Sequence, residues 1–140
     1  MPKLISKEWR KSRKYFFDNK IHFIFFTKRR GNVLGKEILT KLEDIFRKNC
    51  QQMKCQLIEF EGKNDYVHLL VSVNPTVAIS ILAGKLKGTS SRLLVKEFSN
   101  ELKEHLIDNH FWSSSYAAIS HGDSHLEKIK NFFDNDIVPD

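Results

Sequence analysis

The sequence predicts an α+β domain built on an antiparallel sheet, with two helices on one face and a further helix at the C-terminus. Three observations predict it. Short stretches rich in branched and aromatic residues read as strands, and longer stretches with apolar residues three and four apart read as helices. The two kinds follow one another as strand, helix, strand, strand, helix, strand, helix. The 140 residues are 41% hydrophobic and include eleven Phe, enough to fill one core.

Residues 1–19 are charged and aperiodic, with Trp9, Tyr15, Phe16 and Phe17 as apolar anchors, and read as a basic N-terminal arm ahead of a single domain at 20–140. In residues 20–28 (KIHFIFFTK), Ile21, Phe23 and Phe25 alternate with His22, Ile24 and Phe26, which predicts a strand covered on both faces. The turn signal at Gly31-Asn32 leads into Ile38, Leu39, Leu42, Ile45, Phe46 and Asn49, one apolar face of a helix. Residues 54–60 form a second strand, residues 61–65 a loop by composition, and residues 66–73 (YVHLLVSV) the clearest strand. Asn74 as cap and Pro75 at the first helical position start a second helix, which loosens at Gly88 and resumes to about Leu106. Three serines then lead to a short strand at 116–120, and a last helix at 124–134 carries Leu126, Ile129, Phe132 and Phe133. Apart from that last helix, this is the split βαβ, ferredoxin-like order, which hosts many unrelated functions.

Charge narrows the partners. The net charge is +6, and eleven basic residues stand against Glu8 and Asp18 between Met1 and Lys36, whereas five acids face Lys128 and Lys130 after Ser120. A molecule polarised in this way suits a phosphate backbone, although solvated lysines alone would produce the same count. No apolar run approaches the ~18 residues of a membrane span, and no signal segment is visible, so a cytoplasmic chain with Cys50 and Cys55 reduced is expected. The cysteine spacing matches no zinc knuckle.

Four segments carry a more specific signal: residues 22–30 (HFIFFTKRR), 65–71 (DYVHLLV), 86–98 (LKGTSSRLLVKEF) and 111–116 (FWSSSY), followed by the helix at 126–136. In this order and with these gaps the chain resembles the single-tyrosine transposases of small insertion sequences, members of the nucleases with a His-hydrophobic-His motif. The resemblance implies a homodimer that binds hairpins in single-stranded DNA. It also implies a tyrosine on the last helix that attacks a DNA phosphate to give a 5′-phosphotyrosine. Such an attack needs a divalent ion to offset charge on the phosphate, and two histidines one residue apart on a strand point to one face and hold it together.

The sequence departs from that pattern at two points. The family's Asp-His-hydrophobic-His appears as Asp65-Tyr66-Val67-His68, and aligning the last helix places Phe132 at the nucleophile and Asp136 at the third ligand. Phenylalanine has no hydroxyl to form the covalent intermediate, and Phe132 at helical spacing from Ile129 is also an ordinary core residue. His68 and Asp136 leave at most a weak site for Mg²⁺ or Mn²⁺, or no cofactor. His68 on its own reads as a structural histidine, and His121 and His125 read as solvated loop residues or as ligands beside the fourth strand. Tyr66 is a displaced nucleophile only if attack moves to a ligand's position; Tyr116 reads as packing or DNA contact, and Tyr15 has no catalytic neighbour.

For nucleic acid, the candidates are Lys28, Arg29 and Arg30 after the first strand and Lys85, Lys87, Ser90, Ser91 and Arg92 in the second helix, where hydroxyls, cations and N–H groups near Gly88 suit phosphate oxygens. The expected function is a transposase-family protein that binds hairpins in single-stranded DNA and is deficient in cleavage and joining. Two alternatives stand beside it: an active enzyme with an atypical site, and an RNA-binding module with aromatics exposed on its sheet.

Overall fold

The structure, a computed structural model, describes residues 9–12, 14–106 and 110–134. The elements in chain order are β1 (Arg10–Lys11), β2 (Phe16–Phe17), β3 (Lys20–Thr27), α1 (Lys36–Gln52), β4 (Gln56–Gly62), β5 (Tyr66–Ser72), α2 (Ile79–Glu97), α3 (Ser99–Leu102), β6 (Trp112–Ser120) and α4 (His125–Asp134). A short 3-10 turn, Lys28–Arg30, follows β3. The main sheet has the order β4-β5-β3-β6 with every neighbour antiparallel, as the split βαβ reading requires.

β3 lies inside the sheet and is buried from Ile21 to Thr27, because both its faces are covered. Its odd positions, Ile21, Phe23 and Phe25, join the large core beneath α1 and α2. Ile24 and Phe26 join a second, smaller cluster with Ala117, against which Ile129, Phe132 and Phe133 of α4 pack. α1 contributes Ile38, Leu42, Ile45, Phe46 and Cys50 to the large core, and α2 contributes Leu82, Ala83, Leu86 and Leu94, at the three-four spacing of one helix face. Phe25 is the hub, edge-on to Phe46 at 6.0 Å and to Trp112 at 5.9 Å. Full burial of such a ring contributes enough that truncation to alanine costs about 3–5 kcal/mol. Among the described residues no helix is long and apolar enough to cross a membrane.

Several boundaries differ from the sequence expectation, β4 among them, which starts at Gln56 and runs to Gly62. Asn74-Pro75 begins a turn and not the helix: Asn74 Oδ1 accepts from Thr76 N at 3.1 Å, Thr76 Oγ1 at 2.9 Å and Tyr15 OH at 2.9 Å, and α2 starts only at Ile79. With its acceptor held in this turn, Asn74 is not the cap of α2. α2 then runs unbroken through Gly88 to Glu97, and Ser99–Leu102 forms a separate short helix. The glycine costs roughly 1 kcal/mol against alanine, less than the buried face of α2 supplies. β6 starts at Trp112, with the three serines inside the strand, since Trp112 pairs with Thr27 beyond a bulge in β6, where four residue steps oppose two on β3.

Residues 1–8 and 13 of the arm lie outside the described residues. The rest folds back as a two-stranded ribbon on the end of β5: Arg10 Nη1 donates to the Ser72 carbonyl and to Ser72 Oγ, both at 3.1 Å, and Phe17 is buried.

Candidate active site and nucleic-acid interface

The face of the sheet beneath α4 is set by strand parity. Phe26 pairs with Tyr66, Ile24 with both His68 and Ala117, and His22 with Leu70 and Ile119, so these side chains share one face. Tyr66 and His68, two apart on β5, therefore stand together as the motif requires. What surrounds them differs from end to end: aromatic at the Tyr66 end and imidazole at the His68 end.

At the aromatic end the Tyr66 ring lies 5.1 Å from Phe133 and 6.0 Å from Phe26, and Phe132 lies 5.8 Å from Phe26. Arg30 caps this group with its guanidinium 5.0 Å over Phe26 and its Nε 2.8 Å from Asp65 Oδ2. Burial, followed by the nearby Glu61 and Asp65 carboxylates, raises the Tyr66 pKa above the ordinary phenol value, with Arg30 opposing weakly. The hydroxyl therefore stays protonated at neutral pH, a poor state for either a ligand or a nucleophile.

At the other end His68 is engaged through both nitrogens: Nδ1 is 3.2 Å from Glu61 Oε1 and Nε2 is 2.8 Å from His22 Nδ1. Asp136 lies outside the described residues. Among the described residues, the positions that the resemblance assigns to a divalent ion present one imidazole, already hydrogen-bonded on both sides, and a protonated phenol.

The imidazoles go further than the motif. His22 is only 3% exposed, and its Nε2 lies 2.9 Å from His121 Nδ1. The His125 ring stacks on His22 at 4.7 Å and on His121 at 4.3 Å. Desolvation, and then the neighbouring His68, His125 and His121, push the His22 pKa down to about 4, so this ring is neutral at pH 7. A consistent set of tautomers follows from Glu61. A carboxylate only accepts, so His68 Nδ1 donates to it, His68 Nε2 accepts from His22 Nδ1, and His22 Nε2 is left as an acceptor facing His121.

The sequence offers His121 and His125 as solvated loop residues or as ligands beside the fourth strand, and His22 only as a strand position. The signal that links them is parity and register. His22 shares its face with Ile24 and Phe26, and antiparallel pairing of β3 with β6 brings the residue after Ser120 back to the start of β3, where His121 N donates to the Lys20 carbonyl at 2.9 Å.

The basic candidates do not form one patch. Lys85 and Arg92 are exposed on the side of α2 that faces α1, where with Thr89 they line a groove shared with Lys41 and Lys48. Lys87 leans the other way, its Nζ donating to the Ser114 carbonyl at 3.2 Å and lying 5.3 Å over the Tyr116 ring. Ser91 follows it one turn on, half-buried, and Ser90 points inward, fully buried, where its Oγ accepts from Trp112 Nε1 at 2.9 Å. The backbone N–H groups around Gly88 lie within continuous helix. Lys28 borders the same end of β6 as Lys87, since its backbone N–H donates to the Phe111 carbonyl at 2.9 Å, while Arg29 is exposed with φ of 54° and Arg30 is paired with Asp65. Among the described residues the exposed large aromatics are Trp9 and Phe16, both outside the main sheet, while Phe60, Tyr66 and Tyr116 in the sheet are half-buried.

Comparison with known proteins gives a consistent result. The family profile described as IS200-like transposases matches residues 15–136. The chain is 30% identical over 132 residues to the ISDra2 transposase TnpA of Deinococcus radiodurans, covering 94% of each chain. It is 28% identical over 121 residues to the transposase for insertion sequence element IS200 of Salmonella typhimurium, covering 86% of this chain and 78% of that one. A crystal structure of a candidate transposase from Deinococcus radiodurans superposes with a TM-score of 0.79 at 29% identity, over 92% of this chain and 98% of that one. A REP-associated tyrosine transposase bound to a REP hairpin superposes with a TM-score of 0.51 at 11% identity, over 89% of this chain and 68% of that one, a likeness of fold.

Proposed function

The chain belongs to the IS200-like transposase family, and from that premise we propose that it binds hairpins in single-stranded DNA as a homodimer without cutting or joining the strand. The observation that carries this reading is Phe132. At the position the family resemblance gives to the attacking tyrosine, a phenyl ring packs against Phe26 in an aromatic group whose one hydroxyl, on Tyr66, is held protonated. Attack on a phosphodiester needs an oxygen nucleophile, and the phenyl ring of Phe132 has none to offer. A protonated phenol on β5 is also a weak substitute for a tyrosine on the helix, because it occupies a ligand's place beside His68.

Binding needs less. Phosphate contact asks for cations on an accessible surface, and exposed Lys85, Arg92 and Arg29, with Lys87 and Lys28 beside β6, supply them. Hairpin recognition is supported by the family and by the likeness of fold to a relative bound to a hairpin. The test is a comparison of hairpin, linear single-stranded and duplex DNA, with RNA of matched sequence, across salt and chelator. The expected result is preference for the DNA hairpin, affinity falling steeply with salt and unchanged by chelator. Preference for unstructured RNA, or equal affinity for all DNAs, contradicts the reading.

A further inference from the structure

We infer that His22, His121 and His125 form a binding site for a transition-metal ion of the zinc class, and that the ion fastens the start of α4 to the sheet. The three come from different elements: the interior strand β3, the residue after β6, and the first residue of α4. One ring nitrogen from each lies within 4.8 Å of the other two. Three separate stretches of chain thus place imidazoles on one point.

The chemistry of the donors selects the ion. All three ligands are imidazole nitrogens, which suit Zn²⁺, Cu²⁺, Ni²⁺ or Co²⁺ and not the hard, oxygen-seeking Mg²⁺. The site is separate from the family's catalytic ion, because it excludes Tyr66 and Phe132 and takes His68 only as a supporting residue. His22 Nδ1 is spent on His68, which is spent on Glu61, so His22 Nε2 is held as a lone pair facing the cluster. This carboxylate-histidine chain behind a metal-binding imidazole is the usual means of fixing its tautomer and orientation. His125 Nδ1 is held against the Gly122 backbone, which leaves its Nε2 for an ion. Exposed His121 exchanges its proton through solvent to Nε2 and turns the nitrogen now facing His22 to the metal. Ligand nitrogens around a tetrahedral ion at about 2.0–2.1 Å stand roughly 3.3 Å apart, so shifts on the order of an ångström complete the site. The exposed His121 and half-buried His125 supply that movement around the fixed, buried His22. Water fills the fourth position.

The attachment of α4 gives the ion something to do. No residue of α4 is fully buried, and its contact with the sheet rests on half-buried Ile129, Phe132 and Phe133. Metal bonds from His125 to His22 and His121 cross-link the first residue of α4 to two strands and so stabilise a helix that its own apolar face holds weakly.

The experiment uses untagged protein stripped with chelator and titrated with Zn²⁺ by calorimetry and with Co²⁺ by visible absorption, alongside thermal unfolding. One ion per chain is expected, with a rise in Tm that Mg²⁺ does not reproduce. His121→Ala and His125→Ala remove accessible side chains and leave the metal-free fold intact; each weakens Zn²⁺ by about a hundredfold or more and abolishes the Tm rise, and His68→Ala weakens it by about 10–100-fold. Absence of binding at micromolar Zn²⁺ overturns the inference, as does unchanged affinity in the His121→Ala/His125→Ala double variant.

Discussion

His22 Nδ1 stands 2.8 Å from His68 Nε2, across two neighbouring strands. Where the family motif would pair the strand histidine with a second imidazole on β5, His68 here pairs with one on β3 and with Glu61 on β4. The histidine retained at the family position is thereby drawn away from the aromatic end of the face and into an imidazole cluster at the other.

That hydrogen bond predicts a measurable cost for His68→Ala. His22 is buried and keeps its Nδ1–H, so the variant leaves a donor without a partner and loses about 1–3 kcal/mol of stability. Urea denaturation of metal-free protein at pH 7 reads this directly; stability within a few tenths of the parent refutes the hydrogen-bond assignment.

Ser90→Ala separates a structural serine from a phosphate contact. Removing Oγ orphans the buried Trp112 Nε1–H and lowers stability by about 1–3 kcal/mol, while DNA affinity of the folded protein stays the same. A loss of affinity with little change in stability would return Ser90 to the binding surface.

Charge reversal tests the surface residues. Lys87→Glu with Arg92→Glu weakens hairpin binding by more than about tenfold and flattens its salt dependence. Because the two side chains leave opposite sides of α2, the single variants show which side lies on the DNA. Unchanged affinity in the double variant excludes this helix from the interface.

Cys50 is fully buried, and burial, helped by neighbouring Cys55 and opposed by Arg47, pushes its thiol up to about 12 from an ordinary 9.0. The raised value means that the fold favours the neutral thiol: the contribution is complete below the unfolded-chain pKa and is lost as pH rises from 9 toward 12. At pH 8 a thiol-specific disulfide reagent is therefore expected to leave Cys50 unmodified in native protein and to label it in denaturant. Rapid labelling of native Cys50 contradicts this.

Much of the frame was legible because period alone carries it. The alternation of Ile21, Phe23 and Phe25 with His22, Ile24 and Phe26 assigns β3 two covered faces, and the spacing of Ile38, Leu42, Ile45 and Phe46 assigns α1 its core face. Local signals misled where tertiary partners overrode them. Asn74 and Pro75 have cap composition, yet Tyr15 and Thr76 claim the Asn74 acceptor for a turn. Gly88 has breaker composition, yet Leu82, Leu86 and Leu94 bury one face of α2 across it. The serines of β6 read as loop until pairing with β3 is known. Of the site, Tyr66 and His68 were visible as a motif on one strand. His22, His121 and His125 were not visible together, since 99 residues separate His22 from His121 and only the antiparallel return of β6 joins them.

The most direct test of the central claim is a denaturing gel of the wild-type chain incubated with labelled, hairpin-bearing single-stranded DNA and Mg²⁺ or Mn²⁺, run beside a native gel of the same mixture. A retarded complex on the native gel with no covalent protein-DNA adduct on the denaturing gel is the result expected from Phe132 and the protonated Tyr66. A metal-dependent adduct contradicts it, and mapping the modified tyrosine then identifies the residue that attacks.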